Sequence, residues 1–530
     1  MPDLDVVLRD ARPRWPEPPA ALERRILDGL GLIDDAAPAA RRSPTRWLAR
    51  ASRSRRTRLI AIAALAVASG TALAVGIMGG RAPQAPGAQP AAMRFGEQQV
   101  VASFRGHIDG PVSATVDDAG RVYLVWSRAD AIYAAVRQPR GAWGAPERLS
   151  PPAQASTAPK VIAGADGHAI VVWRRRDPGR EVARELTLPG GDPAGTLTIR
   201  TGATLQVVAR ARTSAGTWGP LEEVAPPVPA DVDSDRPLPD APPQDAAAPQ
   251  LGMVEDGQAI VAFGGDDGPR VVRRSPDGTW SPPESIAAGS GPATDVSLSV
   301  ERFSGWAAIA WTRRAPGAAP DVGRAYASVR PPGGTWGPSA DLGERPDTFH
   351  DNELDGAPAA FINGLGSAVV VWGNAPVLAS TRQRDGAWTT PAVLVPEGGQ
   401  PASLSGAPPT VAVDGDGRGL VITSIGRRLV AFRQGADGAW SDGIDWGATA
   451  FESRVAADAR NALVVAVPRT GYAEVGAPAP DGRFGGERVA EDADLPVLAT
   501  GRNGATVIAG DDAAPARTRI VAVVADGGGS

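Results

Sequence analysis

Residues 366–388 read GSAVVVWGNAPVLASTRQRDGAW, and this stretch contains the two markers that decide the fold. The first marker is a glycine that begins an apolar run and has a bulky residue six places on, here Gly366 and Trp372. The second is a Gly-x-Trp turn, here at Gly386 and Trp388, with Asp385 before the glycine. A β-branched run favours a strand and Asp-Gly favours a tight hairpin, so the stretch predicts consecutive antiparallel strands.

Both markers recur along the chain. The glycine-led run occurs at 120–126, 167–173, 257–263, 305–311 and 366–372, and in degraded form at 417–423, 461–467 and 504–510. The Gly-x-Trp turn occurs at 141–143, 216–218, 278–280, 334–336, 386–388 and 438–440, and with phenylalanine at 482–484. We count from the last residue of the first marker to the last residue of the second. This distance is 17 residues in four repeats, 16 in repeat five, 25 in repeat four and 45 in repeat two. Such spacing is typical of strand-turn-strand units whose loops carry insertions.

The repeats predict an all-β fold. Each repeat has room for four strands, and four-stranded antiparallel repeats are the blades of a β-propeller. The eighth copy lacks its last strand, because the chain stops soon after the apolar run 520–524. Residues 95–101 resemble 143–149 and precede repeat one, so we expect them to supply that strand and close the ring. The prediction is an eight-bladed propeller over residues 94–525, with a seven-bladed ring as the alternative.

Composition supports a folded domain and excludes several chemistries. Of the 530 residues 43% are hydrophobic and 21% charged, enough apolar material for a core. The chain has no cysteine, which excludes disulfides, iron–sulfur clusters, thiolate zinc and cysteine nucleophiles. Residues 59–530 carry 41 basic residues (54 minus 13) against 51 acidic ones (59 minus 8), which argues against nucleic acid as a partner.

An uncharged segment of 20 residues begins at Leu59 and ends at Met78. This length spans a hydrocarbon core of about 30 Å, so we expect a transmembrane helix with the lipid bilayer as its partner. Eight arginines lie shortly before the segment and only Arg81 lies just after it, which predicts a cytoplasmic N-terminus. We therefore expect a single-pass protein of the cell membrane with its propeller outside. A signal peptide cleaved at Ala72-Leu73-Ala74 and a buried soluble helix are the alternatives.

The flanking segments are short. Residues 79–93 are rich in proline and alanine and predict a linker. Residues 1–58 form an arginine-rich tail in which one amphipathic helix is expected after Pro18-Pro19, from the spacing of Leu22, Ile26, Leu27 and Leu30. The stretch from Leu8 to Leu30 resembles the cytoplasmic ends of membrane-bound anti-sigma factors of actinobacteria. That resemblance implies a sensor, and the alternative is a solvated tail.

The insertions have a predictable position. In a four-stranded meander the A–B and C–D turns share one edge, and the B–C loops and D-to-A connections share the other. The excess residues at about 177–204 and 315–324 are B–C loops, and 226–249 and 344–355 are D-to-A connections. All four are expected on one face, which is often the binding face of repeat proteins. Neutral drift of tolerated inserts is the alternative.

Arginines just past strand B reach the same face, and they are the candidate ligand-binding residues: Arg128, Arg174, Arg175, Arg176, Arg313 and Arg314. Guanidinium groups bind carboxylate, phosphate or sulfate through paired hydrogen bonds. The alternative is that they pair with neighbouring acids, namely Asp177, Asp231, Asp233, Asp235, Asp351 or Asp355.

The tryptophans divide into two groups. Those of the first marker, Trp126, Trp173, Trp311 and Trp372, lie on a strand covered from both sides and are expected to be packing residues. Those of the turns, such as Trp280 and Trp388, either pack between blades or stack on sugar rings.

Catalytic and metal motifs are absent from the sequence. There is no His-Glu-x-x-His or Gly-x-Ser-x-Gly, and His107, His168 and His350 are scattered. The run 414–417, Asp-Gly-Asp-Gly, lies where an A–B hairpin belongs and is not a full calcium loop. We therefore predict no catalytic residue, no metal site and no cofactor.

The turn from Ser275 to Trp280 resembles the Asp-box turns of sialidases, although it is one residue shorter. Sialidases imply an arginine triad, a tyrosine with a glutamate partner and an acid/base aspartate, and no residue here matches them. The repeated Gly-x-Trp turns also look like those of propeller lectins that bind sugars between blades. Together these features favour a binding or scaffolding module for a glycan, a cell-envelope polymer or a protein, rather than an enzyme. A sialidase-like glycoside hydrolase and a transmembrane sensor are the alternatives.

Overall fold

The computed structural model describes residues 94–526 with gaps at 153, 165–166, 178, 188–192, 202–203, 230–247, 266, 288–290, 315–321, 347–356, 374–375, 384–385, 397–408, 415, 426–427, 449–453, 458–462, 470–471, 479–482, 492–493, 502–504 and 515–516. The predicted tail, membrane segment and linker lie outside the described residues. Among the residues it does describe, no helix is long and apolar enough to cross a membrane.

Every regular element in the described part is a β-strand. The first is β1 (Gln99–Phe104). Blade 1 contains β2 (Ser113–Val116), β3 (Val122–Arg128), β4 (Ala131–Arg137) and β5 (Glu147–Arg148). Blade 2 contains β6 (Ala155–Ala163), β7 (Ala169–Asp177), β8 (Arg180–Thr187), β9 (Pro193–Thr201), β10 (Thr204–Arg212), β11 (Glu222–Glu223) and β12 (Val228–Pro229). Blade 3 contains β13 (Gln250–Met253), β14 (Ala259–Phe263), β15 (Arg270–Arg274) and β16 (Glu284–Ser285).

The second half repeats the pattern. Blade 4 contains β17 (Ala293–Val300), β18 (Ala307–Arg314), β19 (Val322–Arg330) and β20 (Ala340–Pro346). Blade 5 contains β21 (Ala359–Ile362), β22 (Ala368–Trp372), β23 (Val377–Arg382) and β24 (Ala392–Val395). Blade 6 contains β25 (Thr410–Val413), β26 (Gly419–Ile425), β27 (Arg428–Arg433) and β28 (Ile444–Ala448). Blade 7 contains β29 (Arg454–Ala457), β30 (Leu463–Arg469), β31 (Tyr472–Pro478) and β32 (Phe484–Glu491), and blade 8 contains β33 (Asp494–Thr500), β34 (Thr506–Ala514) and β35 (Arg517–Ala525).

Each blade is an antiparallel meander, and in blades 1 to 7 the strands A, B, C and D follow chain order. The A strands contact one another around the ring: β2, β6, β13, β17, β21, β25, β29 and β33 are neighbours in that order, and β33 contacts β2 again. The A strands therefore surround the axis of the ring. The eight-bladed propeller is confirmed, and the seven-bladed alternative is wrong.

Closure of the ring uses both ends of the described chain. β1 pairs antiparallel with β35, with Gln99 opposite Ala522 and Phe104 opposite Thr518, and so becomes strand D of blade 8. This confirms the predicted closure, although the paired strand begins a few residues after Phe95. The guanidinium of Arg137 in blade 1 also donates to both carboxylate oxygens of Asp526, at 2.8 and 3.1 Å. These hydrogen bonds lower the pKa of the Asp526 carboxyl below its usual value.

The core lies between neighbouring blades. Trp126, Trp173, Trp311 and Trp372 are fully buried, as predicted for packing residues. The B-strand tryptophan of blade 4, for example, packs with Ile260 of blade 3 and with Leu298 of its own blade. Because each such cluster takes side chains from two sheets, a blade covers its apolar face only when its neighbour is in place.

An ion pair joins the A–B turns of two blades that are not neighbours. Arg302 of blade 4 donates to both carboxylate oxygens of Asp118 of blade 1, at 2.9 and 3.2 Å. The two side chains are only 3% and 13% exposed. Blades 1 and 4 are three positions apart in a ring of eight, so this pair lies across the axis at the edge that carries the A–B turns. The carbonyl of Arg302 also accepts a bond from the Glu255 amide at 2.7 Å, which ties blade 3 to the same junction.

The predicted insertions are described only in part, because 230–247, 315–321 and 347–356 lie outside the described residues. The part that is described departs from the prediction in several places, including Val228 and Pro229, which pair with β10 rather than lying in a connection. The excess of blade 2 falls between β7 and β10, as expected, but it contains strands β8 and β9, which pair with each other in a two-stranded sheet. Glu344 was expected in a D-to-A connection, and it belongs instead to β20, paired with Arg324. Arg324 was likewise expected in a loop and lies in β19. β19 and β20 of blade 4 stay paired over these residues, so both strands are longer than predicted.

The closing strand should be required for a stable ring. We expect a chain that begins at residue 94 to unfold in one cooperative transition, and a chain that begins at residue 105 to unfold at a lower temperature and to aggregate. The reason is that the second chain lacks β1 and exposes the edge of β35. Circular dichroism with light scattering on both chains checks this. Equal unfolding temperatures would contradict it.

The ion pair of Arg302 with Asp118 should stabilise the folded protein more than an exposed ion pair does. We expect Arg302→Met to reduce the free energy of unfolding by about 3–5 kcal/mol, because Asp118 is then left buried without its partner. Arg302→Met combined with Asp118→Leu should recover much of the loss.

Arg428→Met is the matched control for that experiment. Its pair with Asp445 is 62% and 45% exposed, so its loss should cost about 0–1 kcal/mol. Urea unfolding of the four proteins provides the comparison. Equal losses for Arg302→Met and Arg428→Met would show that the pair across the axis has no special weight.

Candidate functional site

The insertion-bearing face is the edge of the propeller that carries the B–C loops and the D-to-A connections. On this edge, strand B of blades 1, 2 and 4 has a Trp-x-Arg sequence, which ends in Arg128, Arg175 and Arg313. Side chains two residues apart on a strand point to the same side, so each arginine extends from the side on which its tryptophan packs. The six predicted arginines therefore occupy equivalent regions of three separate blades.

In blade 1 the arginine lies against the strand that closes the ring. Ala129 and Asp130 have φ values of 48° and 58° and form the tight turn between β3 and β4. This turn places the Arg128 guanidinium 4.3 Å from the centre of the Phe104 ring in β1. The guanidinium also donates to the carbonyl of Arg105 at 3.4 Å. Arg128 thus joins blade 1 to blade 8.

In blade 2 the three arginines differ in their surroundings. Arg175 donates to the side-chain oxygen of the buried Gln206, and the amide of Gln206 donates to the Ala225 carbonyl at 3.0 Å. Arg174 is half-buried, and Arg176 is exposed at the base of the β8–β9 hairpin.

The acidic partners proposed for the arginines divide into two groups. The Asp177 carboxylate accepts a bond from the Gly179 amide at 3.0 Å, within its own turn. Asp231, Asp233, Asp235, Asp351 and Asp355 lie outside the described residues. Their pairing with the arginines stays a prediction, as does the role of the six arginines in binding a ligand.

In blade 4 the arginine lies beside an aromatic pair. Tyr326 of β19 is opposite Trp311 of β18, and their rings stack 5.8 Å apart at 18°. The Arg313 guanidinium is 5.9 Å from the Tyr326 ring centre. Arg314 is the last residue of β18 and pairs with Gly323. The sequence did not single out Tyr326, although its position opposite the B-strand tryptophan follows from the hairpin register and repeats that of Tyr133 in blade 1.

On the next strand of blade 4 a further arginine is bound by two acids. Arg324 donates to Asp341 at 3.0 Å and to Glu344 at 3.5 Å. The bond to Asp341 raises the pKa of the Arg324 guanidinium above its usual value. Arg324 is thus engaged within its own sheet.

The turn tryptophans on the opposite face pack between blades. Trp280 contacts the cluster shared by blades 2 and 3, and its indole donates to Glu222 at 2.7 Å. Arg274 donates to the same carboxylate through two bonds of 2.9 Å. In five blades of the described chain, the backbone of the turn tryptophan forms an isolated antiparallel β-bridge with the residue six places before it. These residues are Arg137, Arg212, Arg274, Arg382 and Gln434, so four of the five are arginines. These contacts support the interpretation of the turn tryptophans as packing residues. The spacing Arg-x5-Trp in the sequence could have predicted the bridge between the two residues.

The buried carboxylates near the axis hold turns in place. Glu301 accepts a bond from the Ser304 amide at 2.6 Å, and burial raises the pKa of its carboxyl. The Tyr123 hydroxyl lies 3.1 Å from the Asp117 carboxylate and 3.2 Å from the Gly167 carbonyl, and these two acceptors share its one hydrogen. Burial raises the pKa of the Tyr123 hydroxyl as well. Within the described ranges, no group of three or more acidic or histidine side chains could hold a metal ion. The two alternative functions from the sequence, a sialidase-like glycoside hydrolase and a transmembrane sensor, stay predictions.

No protein-family model matches the sequence, and no curated protein matches it. Solved structures do match. An inactive variant of virginiamycin B lyase from Staphylococcus aureus is 11% identical, with 81% of this chain and 99% of that chain covered and a TM-score of 0.35. The Aleuria aurantia lectin is 13% identical, with 63% and 94% covered and a TM-score of 0.29. The NanB sialidase of Streptococcus pneumoniae is 9% identical, with 63% and 67% covered and a TM-score of 0.33.

Lectin and sialidase structures are therefore among those similar to this chain, as the turn resemblances predict. At this level of identity the likeness carries no argument about a ligand or a reaction.

Glu222 should be important for the contact between blades 2 and 3. We expect Glu222→Ala to lower the free energy of unfolding by about 1.5–3 kcal/mol, because it removes the acceptor of three hydrogen bonds and leaves Arg274 without its partner. Glu223→Ala is the control, since Glu223 is the next residue in β11 and is exposed. Chemical unfolding checks both variants, and equal effects would contradict the assignment.

Proposed function

We propose that the chain is a membrane-anchored β-propeller that binds a glycan, a cell-envelope polymer or a protein outside the cell. The segment from Leu59 to Met78 is the anchor, and residues 1–58 lie in the cytoplasm. The uncharged length of the segment and the arginines before it support this orientation. The ligand binds at the insertion-bearing face.

The observation that carries the proposal is the junction of the arginine run 174–176 with the β8–β9 hairpin. β7 and β10 pair as far as Asp177 and Thr204, and the hairpin begins directly beyond them. Arg176 is exposed at this junction. A hairpin that pairs with no other described strand offers free backbone groups at its edges, and the adjacent guanidinium groups offer positive charge. Both features suit a polar or acidic extended ligand.

The test is binding of the full-length chain to a panel of glycans, peptidoglycan and acidic envelope polymers. We expect saturable binding to at least one of them. We also expect binding to weaken at least tenfold when residues 178–203 are replaced by an Asn-Gly turn. That replacement removes the hairpin and keeps the register of β7 with β10, because Asn-Gly closes a two-residue hairpin.

A second pair of variants separates this face from charge in general. Arg174→Ala with Arg176→Ala should weaken binding. Arg273→Ala with Arg433→Ala removes the same charge from strands β15 and β27, near the edge that carries the C–D turns, and should leave binding unchanged. No binding to any member of the panel, or equal losses in the two double variants, would overturn the proposal.

A further inference from the structure

The described chain enters the propeller at the edge that carries the A–B and C–D turns, which we call the turn-bearing edge. β35 is strand C of blade 8, so its last residues lie at this edge. The amide of Gly96 donates to the carbonyl of Val524, the last residue but one of β35, at 3.0 Å. From there β1 runs antiparallel to β35 and ends at Phe104, opposite Thr518. The residues before β1 therefore lie at the turn-bearing edge, and those after it lie at the insertion-bearing face.

The chain is fixed to the propeller at this edge from its first described residues. Phe95 packs against the cluster of Ala473, Val521 and Val523, which joins blades 7 and 8. At the other end, Asp526 follows β35 directly and is held by the guanidinium of Arg137 in blade 1. Both ends of the described chain are thus held at the turn-bearing edge, on the opposite side from the insertions.

The predicted linker leaves little chain between this edge and the membrane segment. The segment ends at Met78 and the linker comprises residues 79–93, which is 15 residues (93 minus 78). A flexible chain of that length has an average end-to-end distance of about 20 Å. β35 has nine residues and so crosses the blade over about 30 Å. To bring the insertion-bearing face to the bilayer, the linker would have to pass the whole height of blade 8, which exceeds its average span.

The two edges also differ in what protrudes from them. On the turn-bearing edge, the middle residue of the Gly-x-Trp turn is small and exposed in six blades: Ala142, Thr217, Thr279, Thr335, Ala387 and Ala439. The insertion-bearing face carries the β8–β9 hairpin, with strands of eight and nine residues. Short turns allow an edge to approach a flat surface closely, whereas a hairpin of this length keeps the surface at a distance.

The charges on the turn-bearing edge are of both signs. Among the described C–D turns Arg140 is exposed, and so are Asp277 and Asp437. Anionic lipids attract clusters of basic residues, and a surface of mixed sign offers them no such cluster. The place where the chain is attached, rather than charge, therefore determines which edge lies nearer to a bilayer.

We propose that the turn-bearing edge faces the lipid bilayer and that the insertion-bearing face points away from it. This inference rests on the proposed membrane anchor and narrows the class of ligand. A binding face that points away from the bilayer meets polymers and proteins that lie beyond the membrane surface, and it does not meet lipid head groups.

The absence of cysteine from the sequence makes this orientation measurable, because a single introduced cysteine accepts a single fluorescent label. Ala142→Cys places the label in the C–D turn of blade 1, and His107→Cys places it in the connection that leads into the same blade. Ala387→Cys and Pro396→Cys mark the same two edges of blade 5, four positions further around the ring. All four residues are exposed.

The test is energy transfer from each label to acceptor lipids, with the labelled full-length chain in lipid nanodiscs. We expect transfer from Ala142→Cys and Ala387→Cys to be at least about twofold higher than from His107→Cys and Pro396→Cys, because the two edges lie about 30 Å apart. Thermal unfolding of each labelled variant reports whether it keeps its fold. Either pair decides the question if a variant of the other pair does not fold.

The outcomes separate the orientation from the anchor on which it rests. Equal transfer from the two edges, or higher transfer from the insertion-bearing face, would overturn the orientation and leave the anchor in place. A chain that does not enter nanodiscs, or that enters them equally well when residues 59–78 are deleted, would overturn the anchor and the orientation with it.

Discussion

The pairing of β1 with β35 is the constraint on which the rest of the structure depends. A ring of sheets packed face to face can open between any two blades unless one joint is held by backbone hydrogen bonds. Here blade 8 takes three strands from the end of the chain and one from its beginning, so opening that joint would break a ladder of antiparallel bonds. Arg137 and Asp526 reinforce the joint by linking blade 1 to the residue just after β35. Closure also covers the edge of β35, which would otherwise be available for pairing with another chain.

Closure fixes which edge each loop occupies. Once the A strands surround the axis, every B–C loop and D-to-A connection must leave from one edge and every A–B and C–D turn from the other. At the A–B edge, contacts between turns of different blades hold the turns in place, and one of them is the ion pair of Arg302 with Asp118. Insertions there would break those contacts, whereas the opposite edge accepts a hairpin of two strands in blade 2 without a change in the pairing of β7 with β10. The cost of a longer surface loop grows only slowly with its length.

The sequence predicts features that depend on local spacing and misses those that depend on distant partners. The eight repeats, the closing strand and the edge that carries the insertions follow from the glycine-led runs and the Gly-x-Trp turns. The β8–β9 hairpin was not predicted, because its residues were interpreted only as excess length between two markers. Arg302 and Asp118 are 184 residues apart and meet only when the ring closes. The partners of Arg128 and Arg175 were likewise not predicted, since Phe104 and Gln206 belong to strands other than the one that carries the arginine.

The Trp-x-Arg sequences show how one local pattern leads to different sites. In blades 1, 2 and 4 strand B presents the same indole and guanidinium groups at the same edge, but the acceptors come from elsewhere. In blade 1 the long preceding strand β1 brings Phe104 and the Arg105 carbonyl to the arginine. In blade 2 the acceptor is Gln206 of the same blade, and in blade 4 the guanidinium lies beside Tyr326. Strand D is the outermost strand of each blade, and its length varies from two residues in β5, β11 and β16 to eight in β32. Variation in that one strand therefore changes which acceptors reach the polar groups at this face.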